Sequence, residues 1–317
     1  MTDKISIYMQ RLMAALTPCV LALMVSSNAA YAQGDGPRAY FPTPDGLTTV
    51  AGYGLFVSGN TVFGSGIINR NADLNMKIGV AQYTRSFSLG GRSAGAFAIV
   101  PFGDVTTEFS GPFTGLRGDS SGLGDVILGG IVALKGVPGM TRREYAAFDP
   151  GLSIGALAKV TLPTGTYSNS KAVNLGANRW ALQLGLPVNY YFGTSFLDPR
   201  LTVLEILPSV TFYSDNDSAF GGGTLSQKPL FQVEAHLSHN LSQAMFVSLD
   251  GLWERGGETS NNGVPNNNQQ SSFSLGASVG LNLSRTTSVK ISYGEVVNRN
   301  SNGAAGEMAR IVLSKSF

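Results

Sequence analysis

Past residue 40, apolar side chains recur at every second position rather than at helical spacing, in runs of about ten residues or more. In the clearest run Phe273, Leu275, Ala277, Val279, Leu281 and Leu283 share one face, while Ser272, Ser274, Gly276, Ser278, Gly280 and Asn282 share the other. Successive side chains of a strand point to opposite sides, so this segment requires grease on one face and a wet or closely packed environment on the other. A second run sets Trp180, Leu182, Leu184, Leu186, Val188, Tyr190 and Phe192 against Gln183, Gly185 and Asn189. Its aromatic ends match the preference of Trp and Tyr for the boundary between hydrocarbon and water. A third puts Leu152, Ile154, Ala156, Ala158, Val160 and Leu162 outward against Ser153, Gly155, Lys159 and Thr161, and Lys159 demands that the inner face be wet.

Counting such runs predicts an all-β fold, a transmembrane antiparallel up-and-down β-barrel of about twelve strands over residues 46–317. The strands are expected to begin near Leu47, Leu74, Ser93, Gly124, Gly151, Arg179, Leu201, Leu225, Ala244, Ser272, Ser288 and Gly306. Two stretches depart from the rule: residues 126–135 are apolar on both faces, and residues 76–87 lose phase midway. Tight connections such as Leu89-Gly90-Gly91-Arg92 and Ser284-Arg285-Thr286-Thr287 alternate with long polar ones, expected over residues 104–121 and 255–270. Residues 136–149 break this alternation, being long where a short turn is due, and predict either a folded element or an extra strand pair. A secreted β-sandwich would also alternate, but its strands run to about five or six residues.

The first residues set the compartment. Lys4 and Arg11 precede an apolar run over residues 12–25 and then Ala30-Tyr31-Ala32, a signal-peptide pattern (residues 1–32) with cleavage expected before Gln33. The run is shorter than the about 20 residues a membrane helix needs. Cys19, the single cysteine, lies inside it, so disulfide and cysteine-metal chemistry are not expected of the mature chain. Pro18 directly before Cys19 argues against a lipoprotein. Only 13% of residues are charged, and the net charge of +2 leaves nothing that points to nucleic acid. Bacterial outer membrane is the expected location.

The motif Gly122-Leu123-Gly124-Asp125 enters one strand, Gly151-Leu152-Ser153-Ile154-Gly155 leads to Leu162-Pro163-Thr164-Gly165-Thr166-Tyr167, and Asn174-Leu175-Gly176 follows. With the hairpin rhythm of the C-terminal half, these resemble the MetA-pathway of phenol degradation family, over most of residues 122–317. The resemblance implies a barrel transporter associated with uptake of phenolic or other aromatic compounds, and no catalytic residues. The glycines read as space for crowded neighbours, and Asp125 as a turn-fixing or charge-pairing residue. The chain closes on Ile311, Leu313 and Phe317 on one face, which resembles the signal read by the barrel-assembly machinery; Lys315 departs from that pattern.

Candidate chemistry is sparse. His236-Leu237-Ser238 resembles the His and Ser of an outer-membrane phospholipase, but Phe231, Val233, Ala235 and Leu237 form the apolar stripe, which turns His236 and Ser238 inward with Gln232 and Glu234. Asp215-Asn216-Asp217 offers oxygen ligands yet reads as well as a polar loop. No metal, cofactor or enzyme activity is expected. Inward ionisable residues at membrane depth must line water or find partners, which makes Lys159, Glu205, Glu234, Asp250, Glu254, Lys290 and Arg310 candidates for a solute path or for cross-bracing. Residues 33–45, with Tyr40 and Phe41, lack alternation and are read either as a plug entering the lumen or as a periplasmic tail. The expected function is passive passage of small hydrophobic or aromatic molecules; the alternative is a structural or surface-interaction barrel with a filled lumen.

Overall fold

A strand with one greasy face cannot end at an open sheet edge in hydrocarbon, where unpaired N–H and C=O groups find no water. The computed structural model, which describes residues 34–61, 67–68, 71–110, 114–115 and 117–317, meets that demand by closing the sheet on itself. The expected leader and its cleavage point lie outside the described residues. In chain order the strands are β1 (Thr48–Gly59), β2 (Ala72–Leu89), β3 (Arg92–Phe109), β4 (Arg117–Leu123), β5 (Ile127–Lys135), β6 (Leu152–Thr161), β7 (Ala181–Gly185), β8 (Val188–Phe192), β9 (Thr202–Tyr213), β10 (Leu225–Gln227), β11 (Leu230–Ser242), β12 (Met245–Gly256), β13 (Thr259–Asn261), β14 (Val264–Pro265), β15 (Gln270–Asn282), β16 (Thr287–Arg299) and β17 (Gly306–Ser316). All pairings are antiparallel; β17 closes onto β1, and β9 onto β11.

The pairs β4 with β5 and β7 with β8 are each one wall strand broken in the middle, which gives a closed wall of twelve strands. One break holds Gly124, Asp125 and Val126; the other holds Leu186 and Pro187, where proline has no donor to give the ladder. Ten of the expected starts fall within a few residues of a wall strand. The start at Gly124 falls inside the first break, and Leu225 opens β10, which pairs with β13, itself paired with β14, in a small separate sheet.

The lost phase of residues 76–87 has a physical cause. Along β2 the pleat never slips: Ala72, Leu74, Met76, Ile78 and Val80 are buried inside, and the inner positions continue through Gln82, Thr84 and Ser86. The outer positions run Asp73, Asn75 and Lys77, then Gly79, Ala81, Tyr83 and Phe87. Polarity therefore inverts halfway. β3 inverts at the same height, since outward Phe102 lies opposite Gly79 and outward Asp104 opposite Lys77. Below this line the wall meets lipid; above it the wall stands in water around an apolar interior. The polar outer positions of β3 and β4 account for the expected loop over residues 104–121, which is corrected: β3 runs on to Phe109 and β4 starts at Arg117, with Glu108 and Arg117 paired at 3.0 Å on the outside. β5 is apolar on both faces because Ile127 and Ile131 line an internal cavity, while Leu128 and Leu134 are exposed outside.

The long connection after β5 is a folded element. Helix α1 (Arg142–Ala147) starts at Thr141, whose hydroxyl accepts the Glu144 N–H at 3.3 Å while the Glu144 carboxylate accepts the Thr141 N–H at 2.8 Å. Those bonds hold the Glu144 carboxyl below the usual carboxylate range. The helix brings Tyr145 and Phe148 over Phe196 in stacked contact, at 4.9 and 5.6 Å between ring centres. The loop expected over residues 255–270 likewise contains the β13–β14 hairpin.

Placing the bilayer on the outward stripes gives a paired test. Leu249→Arg, at an outward position in the middle of β12, is expected to cost about 2–4 kcal/mol in urea refolding into vesicles. Thr106→Arg, outward on β3 but above the line of inversion, is expected to change the midpoint little.

Candidate functional site

The lumen has two unlike walls. Leu55, Met76, Ile78 and Met308, from β1, β2 and β17, belong to an apolar cluster that Val173 and Leu175 of the β6–β7 connection cap from above. The facing wall, from β9, β11, β12, β15 and β16, carries buried Glu205, Glu234, His236, Asp250, Ser274 and Ser278. Charges held in such a wall need partners, and most of them find one in a single stretch of chain.

That stretch is residues 34–43, which run inside the barrel. The Glu234 carboxylate accepts the Asp35 N–H at 2.9 Å, and the Glu205 carboxylate accepts the Arg38 N–H at 2.9 Å. From the opposite sign, Arg310 Nη1 donates to the Gly34 carbonyl at 3.0 Å and Lys290 Nζ to the Pro37 carbonyl at 2.8 Å. Lys159 pairs with the Asp35 carboxylate, which also accepts the Tyr40 hydroxyl. Arg38 Nε donates to Ser238 Oγ at 3.0 Å, and its guanidinium lies 4.0 Å from the centre of the Phe246 ring. Main-chain donors thus meet carboxylates, and main-chain carbonyls meet cations. The sequence Gly34-Asp35-Gly36-Pro37 suits this fit: a Cβ on Gly34 would lie 2.1 Å from Glu234, and one on Gly36 would lie 1.9 Å from Arg310. Both glycines also have positive φ, 49° and 84°.

Of the inward charges singled out in the sequence, Lys159, Glu205, Glu234, Lys290 and Arg310 therefore converge on one segment, and the remaining two brace the wall. Asp250 accepts His236 Nδ1 at 2.8 Å, taken as the protonated nitrogen, and the hydroxyls of Ser248 at 2.7 Å and Ser278 at 2.5 Å. Glu254 accepts Gln232 Nε2 at 2.8 Å and Ser272 Oγ at 3.3 Å. His236 and Ser238 both face the lumen, but the two His236 nitrogens face Asp250 and Glu234, and Ser238 is taken by Arg38. Asn216 and Asp217 act as loop organisers: Asn216 bonds Asn178 and Tyr167, and Asp217 accepts the Thr224 hydroxyl at 3.1 Å.

Around the inner segment lies a cavity of about 480 Å³, lined by Tyr53, Val80, Phe97, Ile99 and Ile131 on the side of β1, β2, β3 and β5, and by Phe246, Asn282, Lys290 and Arg310 on the side of β12, β15, β16 and β17. Toward the rim where β1 starts and β17 ends, Phe41 packs edge-on against Tyr191 and Phe196, at 5.5 and 5.3 Å, and so continues the aromatic stack of α1. The cavity is thus floored by aromatics and roofed by the apolar cluster.

A family model described as "Putative MetA-pathway of phenol degradation" matches residues 57–311. The chain belongs to that family. Among solved structures, the COG4313 outer membrane channel from Pseudomonas putida F1 is similar at a TM-score of 0.70, with 19% identity, over 89% of this chain and 99% of that one. The beta domain of the Bordetella autotransporter BrkA is similar at a TM-score of 0.50, with 12% identity, over 86% of this chain and 100% of that one. At these identities the likeness is one of fold, that of outer-membrane barrels. No curated protein is matched by the sequence.

Three of the four motifs that carried the MetA-pathway resemblance meet in space, while Gly151-Leu152-Ser153-Ile154-Gly155 lies at the far end of β6. At the break between β4 and β5, the Asp125 carboxylate accepts the N–H of Gly165 at 2.8 Å and of Ala177 at 2.7 Å. Gly165 and Gly176 touch, and a Cβ on either would come within 2.7 Å of the other's backbone. Thr166 accepts the Leu123 N–H at 3.1 Å, and Thr164 the Val126 N–H at 3.0 Å, replacing the bonds the broken strand cannot make. Asp125 therefore clasps the connection that sets Val173 and Leu175 into the lumen, the turn-fixing role. Asp35 and Arg38 were missed as site residues, although the Gly-Asp-Gly-Pro spacing was a visible signal. Asp125→Ala, which leaves two N–H groups without their acceptor, is expected to cost about 1–3 kcal/mol. Limited proteolysis should show faster cutting within residues 168–178.

Proposed function

We propose that this barrel is an outer-membrane channel for passive entry of small hydrophobic or aromatic, phenol-like compounds. The observation that carries the reading is the cavity of about 480 Å³, in which aromatic and aliphatic side chains such as Tyr53, Val80, Phe97, Ile99 and Ile131 face a few fixed polar and charged groups, among them Gln82, Lys290 and Arg310. Solute-binding cavities of a few hundred Å³ are mostly apolar with a few fixed polar groups, and here Tyr53, whose hydroxyl donates to Gln82 at 2.5 Å, supplies such groups. Family membership supports the same solute class. In this reading the chain is exported by its leader, both ends face the periplasm, and exposed Ile311, Leu313 and Phe317 offer the barrel-assembly machinery its contact.

In this reading residues 34–43 are the plug. The charged wall holds the segment through its backbone, and passage requires the segment or its Phe41 contact to move aside. The filled lumen also favours the second reading, a structural barrel whose outer loops do the binding. Uptake of labelled phenol, beside glucose, into vesicles holding the folded protein separates the two. Channel action predicts phenol entry above empty vesicles with little glucose. Gly36→Leu, which drives a side chain into Arg310, should raise both fluxes by displacing the segment. Entry of neither solute, in the parent protein and in the variant, would favour the scaffold.

A further inference from the structure

The outer surface is asymmetric in charge near the rim where β1 starts and β17 ends. Lys315 on β17, Arg85 on β2, Arg92 on β3 and Lys135 at the end of β5 are all exposed, and the exposed Arg142 and Arg143 of α1 extend the series. The first three lie on the outward face at the end of each strand nearest this rim, Arg92 being the first residue of β3. Lys315 lies opposite Val50 of β1, and Val50 opposite Tyr83 of β2, two positions from Arg85. Lys315 and Arg85 are thus two strand spacings and two residues apart, about 12 Å along the wall. Arg92 lies opposite Leu89 and donates to the carbonyl of Leu134, the neighbour of Lys135.

None of these six cations takes part in an ion pair among the described residues; Arg85 and Lys315 bond only threonine hydroxyls, at 2.6 and 2.9 Å. No carboxylate of this rim is paired with them among the described residues, although exposed Glu144 lies on α1 itself and exposed Asp149 just after it. Glu144 caps α1, Asp198 accepts its own loop's N–H groups, Asp45 lies at the inner side, and Asp149 follows α1. Directly beside the cations the wall shows exposed Tyr83, Phe87, Leu89 and Leu134. A cationic arc touching an apolar belt matches a molecule with an anionic head and a hydrocarbon tail in the same bilayer.

We propose that the arc Lys315, Arg85, Arg92 and Lys135, with Arg142 and Arg143, is a binding surface for the phosphate headgroups of anionic phospholipid. Acyl chains lie on Phe87, Leu89 and Leu134 while the cations hold the phosphate. This surface stands apart from the lumen and does not depend on what passes through it.

The test is retention of phosphatidylglycerol against phosphatidylcholine by the folded protein in detergent micelles, read by native mass spectrometry. The parent is expected to keep phosphatidylglycerol selectively, and the triple variant R85Q/R92Q/K135Q to lose affinity on the order of a hundredfold. Lys77→Gln with Arg117→Gln, on the opposite rim, should leave retention unchanged. Free glycerol phosphate should not displace the lipid; displacement at equal concentration would show a plain anion site and overturn the lipid assignment. Equal retention of both lipids, or equal retention by parent and triple variant, would also overturn it. Should the triple variant fail to refold, Arg92→Gln alone carries the test: a several-fold loss is expected, and none would contradict the proposal.

Discussion

Backbone hydrogen bonding in hydrocarbon governs this molecule. A membrane sheet must close, and closure by twelve strands encloses more space than wall side chains alone can fill. How that space is filled accounts for the unequal halves of the lumen. On one side β1, β2 and β17 fill it with aliphatic side chains and the cap of Val173 and Leu175. On the other, carboxylates and cations need partners, and the backbone of residues 34–38 supplies them in matched pairs of donor and acceptor.

This arrangement ties the inner segment to the fold without a covalent link. Many of its contacts join a charged side chain to a main-chain group or to a counter-charge, so no single bond holds the segment alone. Removing a charge on either side leaves its partner buried without compensation, which is more damaging than the bond itself is stabilising. The apolar half makes no such demand. A small aromatic molecule can lie against it at little cost, and the cavity reaches its side chains at Tyr53, Leu55, Val80 and Ile99.

Most of the wall was legible in the sequence because lipid on one face and lumen on the other impose a strict period of two. Residues 152–162, 180–192 and 231–238 face as their alternation requires. Legibility failed where the environment changed along a strand. At Lys77 and Asp104 the outside turns from lipid to water, so a continuous pleat reads as a lost phase and then as a loop. The break at Gly124, Asp125 and Val126 was hidden for another reason: the bonds that replace the ladder come from residues 164–177, distant in sequence. That the inner charges faced inward could be read from pattern alone. That five of them share one partner could not, since residues 34–38 carry no periodicity to mark them.

The most direct test of the account is to lock the inner segment in place. With cysteines introduced by Tyr40→Cys and Phe97→Cys, whose parent rings face each other at 6.5 Å between centres, a short reducible bis-methanethiosulfonate linker spans the space the two rings leave and should join the segment to β3 within one chain. The account predicts that phenol entry into vesicles falls to background in the cross-linked protein and returns on reduction. If phenol enters equally in the cross-linked and reduced states, the segment does not stand in the path and the account is wrong.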